Sequence, residues 1–216
     1  MCGRYLIEID EKELREMLLA ADTSADERLD KLSFVFSGGE VFPGSIAPVI
    51  TADGVRFMTW GFPSIHEKQH PHINARSESA AASKTFGEAM ETRRCVVPAT
   101  AYFEWKQTKK KHKVKYEFTL PERAPLYMAG IYTTGPKVSP HVDGCFAVLT
   151  RDAAPTITEI HDRMPVILPK ALIDVWLRES PAVMSEALTD LNFVPVPASD
   201  RNPNQLRLDF GEDEPK

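Results

Sequence analysis

Cysteine is scarce in this sequence, and the cysteines that are present do not form pairs. Among 216 residues there are three, Cys2, Cys95 and Cys145, an odd number without C-x-x-C spacing. This pattern argues against a disulfide framework and against a zinc ribbon, and it is typical of proteins from a reducing compartment.

Long apolar runs and an excess of positive charge are also absent. No stretch is apolar enough to span a membrane, and the N-terminus lacks the basic and then apolar layout of a signal peptide. We therefore expect a cytoplasmic protein with no membrane partner. Lys and Arg number 26 against 31 Asp and Glu, a formal net charge of −5. This charge argues against coating of nucleic acid by bulk charge but allows a local basic groove, so any anion-binding site must be focal.

The apolar residues that are present suit one core built mainly of β-strands. Hydrophobic residues make up 43% of the chain, enough for the core of a single domain. Short apolar or alternating runs, separated by polar, Pro or Gly residues, predict strands at 2–8, 47–51, 55–60, 94–98, 102–106, 114–120, 126–132, 145–150 and 193–197. Asp53-Gly54 predicts a tight turn between two of them.

Helical patterns are fewer. They predict helices at about 10–21, 78–90, 169–177 and 182–189. The fold class is therefore predicted to be α+β, a single domain with a curved antiparallel, barrel-like β core and peripheral helices.

The first residues would become unusually reactive if Met1 were removed. Removal of Met1, common in cells when the next residue is small, would leave Cys2 with an α-amine and a thiol on adjacent carbons. Reference pKa values of about 7.7–8.0 and about 8.5 leave both groups partly deprotonated near neutral pH. An aldehyde would condense with the amine to a Schiff base, which the thiol would close to a five-membered thiazolidine. Taken alone, this pattern is more simply explained by a small residue after the start codon.

Two other stretches contain titratable side chains in unusual surroundings. Glu104 lies between Phe103 and Trp105. If these two aromatic residues face one side of a strand, alternation turns Glu104 to the other side. That face is either solvent, which the pattern alone favours, or a site. His161 is followed by Asp162 and Arg163. This cluster suits proton transfer near neutral pH, and structural pairing within a loop explains it equally well.

A histidine cluster and a lysine-rich segment have simpler explanations. His66, His70 and His72 suggest zinc ligands, but Pro71 would disrupt a helix that aligns them and no fourth ligand lies nearby, so we expect a loop without metal. The segment 106–113 is the densest basic stretch. A soluble hairpin turn is its simplest interpretation, and the alternative, neutralisation of phosphates, would make binding depend on salt.

Four short motifs, each weak alone, occur in one order along the chain. They are Cys2-Gly3-Arg4-Tyr5, INARSE at 73–78, YFEW at 102–105 and IHDRMP at 160–165. In this combination the sequence resembles the SRAP family, the SOS-response-associated peptidase proteins that act as sensors of abasic sites in single-stranded DNA. The resemblance covers roughly residues 2–197 and leaves a polar, acidic tail at 198–216 that we expect to be flexible.

The resemblance implies a mechanism centred on Cys2. Members of the family expose Cys2 by loss of Met1 and link it to the ring-opened aldehyde of an abasic deoxyribose as a thiazolidine, which shields the lesion. By match to the family, Asn74 would orient the Cys2 terminus and Glu104 would hold the amine and exchange its proton. His161 would act at the sugar, aiding ring opening and the proton transfers that form or reverse the crosslink.

The resemblance also implies residues that contact DNA. Guanidinium groups would bind phosphates, and aromatic and proline side chains would lie near the flanking bases, where stacking tolerates any sequence. The residues at these matching positions are Gly3, Arg4, Pro43, Trp60, Arg76, Thr150 and Arg163. Two departures from the family pattern affect strand binding: Glu40 replaces an asparagine before Pro43, and Ser64 and Ile65 occupy a place where relatives often have a further tryptophan.

The activities that the resemblance implies include abasic-site lyase chemistry, because a Schiff base at the sugar favours elimination of the 3′ phosphate. Two alternatives use the same Cys2, a thiol peptidase that removes Met1 and an amidohydrolase of the N-terminal-nucleophile class. No cofactor is expected. The expected partners are abasic single-stranded DNA and replication or repair proteins, with a monomeric protein that is nucleoid-associated when bound to DNA.

Overall fold

The computed structural model describes residues 2–7, 39–64, 70–108, 112–135 and 142–197. The strands in these ranges are β1 (Arg4–Ile7), β2 (Gly39–Val41), β3 (Ile46–Thr51), β4 (Gly54–Trp60), β5 (Asn74–Arg76), β6 (Arg94–Ala99), β7 (Ala101–Gln107), β8 (Lys113–Thr119), β9 (Leu126–Thr133), β10 (Gly144–Asp152), β11 (Arg163–Pro165) and β12 (Asn192–Val196). The α-helices are α1 (Ser77–Ala80), α2 (Gly87–Thr92) and α3 (Ile173–Arg178), and 3-10 helices span Pro121–Arg123, Lys170–Leu172 and Pro181–Glu186. None of the helices in this part of the chain is long and apolar enough to cross a membrane.

Five strands close into a barrel. Their order is β10-β4-β3-β6-β9, and β9 pairs back to β10. Every residue of β3 and β6 is buried, which explains why both read as continuous apolar runs without alternation. Two short strands, β5 and β11, also pair with β10 and bring their residues to the rim of the barrel.

A second, fully antiparallel sheet has the order β12-β8-β7-β1-β2. One of its faces is buried through Tyr5, Tyr102 and Phe118, and the Tyr5 ring meets the ring of Trp60 from the barrel edge-on, with centroids 4.9 Å apart. Because β1 lies between β7 and β2, the start of the chain enters the interior of this sheet. Cys2, two residues before β1, is fully buried.

The predicted fold class, α+β with a barrel-like β core, is confirmed. The nine predicted strands correspond to observed ones, and the turn between β3 and β4 consists of Ala52 and Asp53, followed by Gly54 at a φ of 113°. The core strands were predicted to be antiparallel, and most of them are. The exception is β10, which runs parallel to both β4 and β5. The helix predicted at 10–21 and the tail at 198–216 lie outside the described residues.

Two helical predictions were wrong in length or type. The helix predicted at 78–90 divides into α1 and α2, because the Ser83 hydroxyl accepts a hydrogen bond from Thr85 N and Gly87 lies so close to the Ala81 carbonyl that a Cβ would be 2.8 Å from its oxygen. The helix predicted at 182–189 is a 3-10 helix that ends at Glu186. Beyond it, Leu188 N donates to Ile167 O, and this tertiary contact takes the chain away from helical bonding.

Candidate active site around Cys2

Cys2 lies buried at the entrance to β1, with no exposed surface. Its thiol contacts the carbonyl oxygen of Arg4 at 3.6 Å, and Asn74 donates from Nδ2 to the Cys2 carbonyl oxygen at 2.8 Å. β5 places Asn74 at the rim of the barrel, where β1 of the other sheet approaches. The structure thus brings together two predicted site residues that are 72 positions apart in the chain.

Glu104 faces the interior and not solvent. It lies on β7 next to β1, where Phe103 pairs with Arg4, and only 2% of its surface is exposed. The exposed glutamate that strand alternation favoured is therefore wrong, because the face of β7 that carries Glu104 is covered by the rest of the site. Burial raises the pKa of Glu104 to about 7, although the positive charge of the amino terminus lowers it. A carboxyl group with this pKa can both accept and return a proton at neutral pH.

His161 reaches the same site from the loop before β11. Its Nε2 lies 3.9 Å from Oε2 of Glu104, and its Nδ1 is 3.0 Å from the backbone N of Arg163. Burial and then the positive amino terminus lower the pKa of His161, so its ring is neutral at neutral pH. The distance between His161 and Glu104 is longer than a hydrogen bond, so the two groups are neighbours without a direct bond between these atoms.

The thiol of Cys2 stays protonated in this arrangement. Burial raises the pKa of the thiol, and the negative charge of Glu104 raises it further. Reaction at sulfur therefore requires a neighbouring base to accept the thiol proton. Glu104, whose charge acts on the thiol, is the group placed to do so.

The predicted phosphate-binding arginines have different surroundings. The guanidinium of Arg4 lies over the rings of Phe42 and Trp105, with its carbon 4.3 Å and 5.1 Å from the ring centroids, and Nη1 is 3.5 Å from Glu40. Arg76 ends β5 with an exposed side chain and forms no ion pair with the described residues. Arg163 is enclosed by carboxylates, and its predicted contact with DNA stays a prediction.

The other predicted DNA contacts lie at different depths. Gly3 and Pro43 are half-buried, whereas Thr150 and Trp60 have no exposed surface. The Trp60 ring packs against Tyr5 and Phe146, and its Nε1 donates to Ile73 O at 2.8 Å. Trp60 thus supports the residues under the site. A base could stack on Trp60 only if the ring left this packing, so base stacking at Trp60 stays a prediction.

Sequence reasoning gave no role to several polar groups near Cys2. The hydroxyls of Tyr5 and Tyr102 are buried without a hydrogen-bond partner among the described residues. Glu40, identified from the sequence as a charge unfavourable to phosphate, forms an ion pair with Lys115, whose side chain is buried. Strand alternation turns these tyrosines and Lys115 to one face or the other, but it does not say which face lies under the site.

The histidine and lysine segments show no feature of a metal or catalytic centre within the described ranges. His72 forms an isolated β-bridge with Phe62, and its ring meets Phe86 edge-on. No group of three metal-ligating side chains occurs among the residues that the structure describes. His66 and residues 109–111 lie outside them, while Thr108 N donates to His112 O at the base of the predicted hairpin.

Comparison with known proteins connects this site to a family. The sequence matches the model of the SOS response associated peptidase (SRAP) family over residues 1–202. It is 28% identical over 186 residues to the Abasic site processing protein YedK of Escherichia coli. This match covers 83% of this chain and 80% of YedK. It is 30% identical over 105 residues to the Abasic site processing protein YobE of Bacillus subtilis, so that the match covers 49% of this chain and about half of YobE, 48%.

Solved structures show the same fold. A protein from Bacteroides thetaiotaomicron superposes with a TM-score of 0.75 at 22% identity, covering 94% of this chain and 97% of that one. A protein from Bordetella bronchiseptica superposes with a TM-score of 0.68 at 21% identity, covering 91% of this chain and 100% of that one. These structures show the fold, and the match to the family model over residues 1–202 shows that the chain belongs to the SRAP family.

Proposed function

We propose that this protein processes abasic sites in single-stranded DNA by linking Cys2 covalently to the lesion after Met1 has been removed. The observation that carries the proposal is the convergence of Cys2, Asn74, Glu104 and His161 from four separate parts of the chain. The relatives named as abasic site processing proteins support the substrate class. An abasic site has no base to read, which suits a protein that binds without sequence preference.

The first step is attack by the amine on the sugar aldehyde. The ring-closed abasic deoxyribose opens when its ring oxygen gains a proton and its C1′ hydroxyl loses one. The neutral α-amine of Cys2 then adds to C1′, and loss of water from the adduct leaves a Schiff base. A carboxylate beside the amine accepts the proton that nitrogen releases and returns one to the departing hydroxyl, a task that suits the raised pKa of Glu104.

The second step is ring closure by sulfur. The thiol of Cys2 adds to the C1′ carbon of the Schiff base, and its proton passes through a neighbouring base to the nitrogen, which gives the thiazolidine. Net, one aldehyde, one amine and one thiol give one ring and one water. The thiol is held on the carbon next to the amine, so closure is intramolecular and has a high effective concentration.

His161 acts at the sugar oxygen in this scheme. The ring is neutral because burial lowers its pKa, and the nitrogen that faces the site is Nε2. A neutral imidazole that donates from Nε2 stabilises negative charge on a carbonyl or alkoxide oxygen without giving up its proton. When elimination of the 3′ phosphate competes with ring closure, the same Schiff base gives lyase activity.

The test of the proposed function is the intact mass of the purified protein before and after incubation with an oligonucleotide that carries one abasic site. We expect a mass without Met1 and then a heat-stable adduct with the damaged strand, at protein mass plus strand mass less one water. An undamaged strand should give no adduct. Retained Met1, or no adduct, together with hydrolysis of glutamine or of casein, would favour the amidohydrolase or the general peptidase instead.

Arg76→Gln should weaken non-covalent binding to single-stranded DNA. The exposed side chain lies two residues after Asn74 on β5 and would bind one phosphate. Its loss should therefore lower affinity about threefold to tenfold and reduce the slope of log affinity against log salt by about 0.7. The measurement is fluorescence anisotropy with an undamaged strand at several salt concentrations. Arg123→Gln, which removes an exposed arginine that is already paired with Glu117, is the matched control. An unchanged slope for Arg76→Gln would remove Arg76 from the DNA contacts.

A further inference from the structure

The protein holds Arg163 by both terminal nitrogens of its guanidinium, whereas Nε is buried without a hydrogen-bond partner among the described residues. Nη1 donates to Oε1 of Glu78 at 2.6 Å and Nη2 donates to Oε2 at 2.9 Å, a bidentate pair. Nη1 also contacts Asp152, and Nη2 donates to the carbonyl oxygen of Thr150 at 2.8 Å. The Arg163 side chain is only 6% exposed.

These contacts differ from those of an arginine placed to receive DNA. Arg163 faces two carboxylates, so a phosphate would have to displace the bidentate Glu78 or enter beside it against their negative charge. The hydrogen bond from Arg163 keeps the pKa of Glu78 at about 2, so Glu78 stays ionised throughout the range in which the protein works. The pair is therefore a structural feature of the DNA-free protein.

The backbone of Arg163 has a separate contact with the site. Its N–H points at Nδ1 of His161, 3.0 Å away, while Oδ1 of Asp162 lies 2.9 Å from the same nitrogen. A neutral ring with one proton cannot satisfy both neighbours: a protonated Nδ1 would donate to Asp162 and face the N–H of Arg163 without accepting it. The carboxylate is 86% exposed and rotates into solvent at little cost, whereas the N–H is fixed at the start of β11. Nδ1 is therefore the acceptor and the proton is on Nε2.

We propose that Glu78 is a positioning residue. It anchors the start of β11 through the Arg163 guanidinium and so helps to keep the backbone N–H of Arg163 on Nδ1 of His161, which selects the Nε2-protonated tautomer. Glu78 lies in α1, directly after β5, so the same short segment orients Cys2 through Asn74 and sets His161 through Glu78. Among the described residues, Glu104 from β7 and Asp162 from its own loop have carboxylates close to the His161 ring, and the positive charge of the amino terminus also lowers the pKa of His161. The effect on reaction rate rests on the proposed function, but the effect on the tautomer does not.

The test is Glu78→Gln, measured first by nitrogen-15 NMR of the His161 ring at a pH where it is neutral. In the unaltered protein we expect one tautomer with the proton on Nε2. Glutamine keeps the size of the side chain but lacks the charge and the second acceptor, so the variant should show a mixture of tautomers. The rate of adduct formation at saturating DNA should fall with the fraction of the Nε2-protonated tautomer, about twofold to tenfold, with DNA affinity changed less than twofold.

Two further variants keep the proposal testable. Glu78→Asp should lie between the unaltered protein and Glu78→Gln, because it restores the charge but not the reach. Asp152→Asn removes the exposed partner of the same guanidinium and gives a folded alternative if position 78 does not tolerate change. Glu88→Gln, an exposed glutamate on α2 paired with Arg93, is the matched control and should leave the ring and the rate unchanged.

The outcomes separate this proposal from the proposed function. A single, unchanged His161 tautomer in folded Glu78→Gln, or an unchanged rate with an altered tautomer, would overturn the positioning role. Weaker DNA binding with no change in the ring would assign Glu78 and Arg163 to the DNA contacts instead, which also overturns it. If the unaltered protein forms no adduct at all, the proposed function fails while the NMR result still decides what Glu78 does to His161.

Discussion

Cys2→Ala should abolish the heat-stable adduct with abasic DNA, a loss of more than about a hundredfold that no other single substitution in the site should match. Alanine also permits removal of Met1, so the variant keeps an α-amine that forms the Schiff base. It lacks the sulfur that converts this reversible product into a ring. Borohydride should therefore still trap an adduct with Cys2→Ala, while heating without borohydride should leave none.

Two companion variants determine which property of Cys2 matters. Cys2→Ser keeps the size and a nucleophile, and its weaker ring closure should give a small, heat-labile adduct. Cys145→Ala removes another buried thiol, on β10, and should form the adduct at the normal rate. A heat-stable adduct in Cys2→Ala without reductant would mean that a different residue forms the crosslink.

Strand positions follow from the sequence because side chains on a half-buried strand alternate with a period of two. The same rule failed at Glu104, since it assigns residues to two faces without saying which face another layer covers. Only the second sheet with β1 between β7 and β2 places Glu104 beside Cys2. The parallel pairing of β10 with β4 and β5 was likewise invisible, because it depends on strands distant in sequence.

The candidate site was only partly predictable for the same reason. The resemblance identified Cys2, Asn74, Glu104 and His161, and the structure places them together. Glu78 belongs to the INARSE motif, but the resemblance gives this residue no role. Its partner Arg163 lies 85 residues further along the chain. Local patterns show caps, turns and alternation, whereas an ion pair between distant segments leaves no local signal.

Glu104→Gln should slow adduct formation about a hundredfold and flatten its pH dependence. In the unaltered protein the rate should rise as the pH increases through about 7, where Glu104 loses its proton and becomes a base. Glutamine cannot accept that proton, so the remaining rise in the variant should follow the α-amine alone, near pH 8. The measurement is the rate of adduct formation from pH 5.5 to pH 9, with Glu117→Gln on the neighbouring strand β8 as the control.

The same substitution should make the protein more stable at alkaline pH. Burial raises the pKa of Glu104, so between pH 4.5 and about 7 the folded protein keeps a proton that the unfolded chain has released. The unfolded state binds fewer protons in this window, and the free energy of unfolding therefore falls as the pH rises. Above pH 7 the ionised carboxylate costs about 3 kcal/mol, which a neutral glutamine avoids.

Denaturant unfolding at pH 5 and pH 8 would measure this difference. Glu104→Gln should unfold at nearly the same denaturant concentration as the unaltered protein at pH 5 and at a clearly higher one at pH 8. A variant that is both slower and more stable has lost a group that the reaction needs and the fold does not. If Glu104→Gln and the unaltered protein were equally stable at both pH values, or if the variant kept the pH profile of the rate, Glu104 would not be the titrating base of the site.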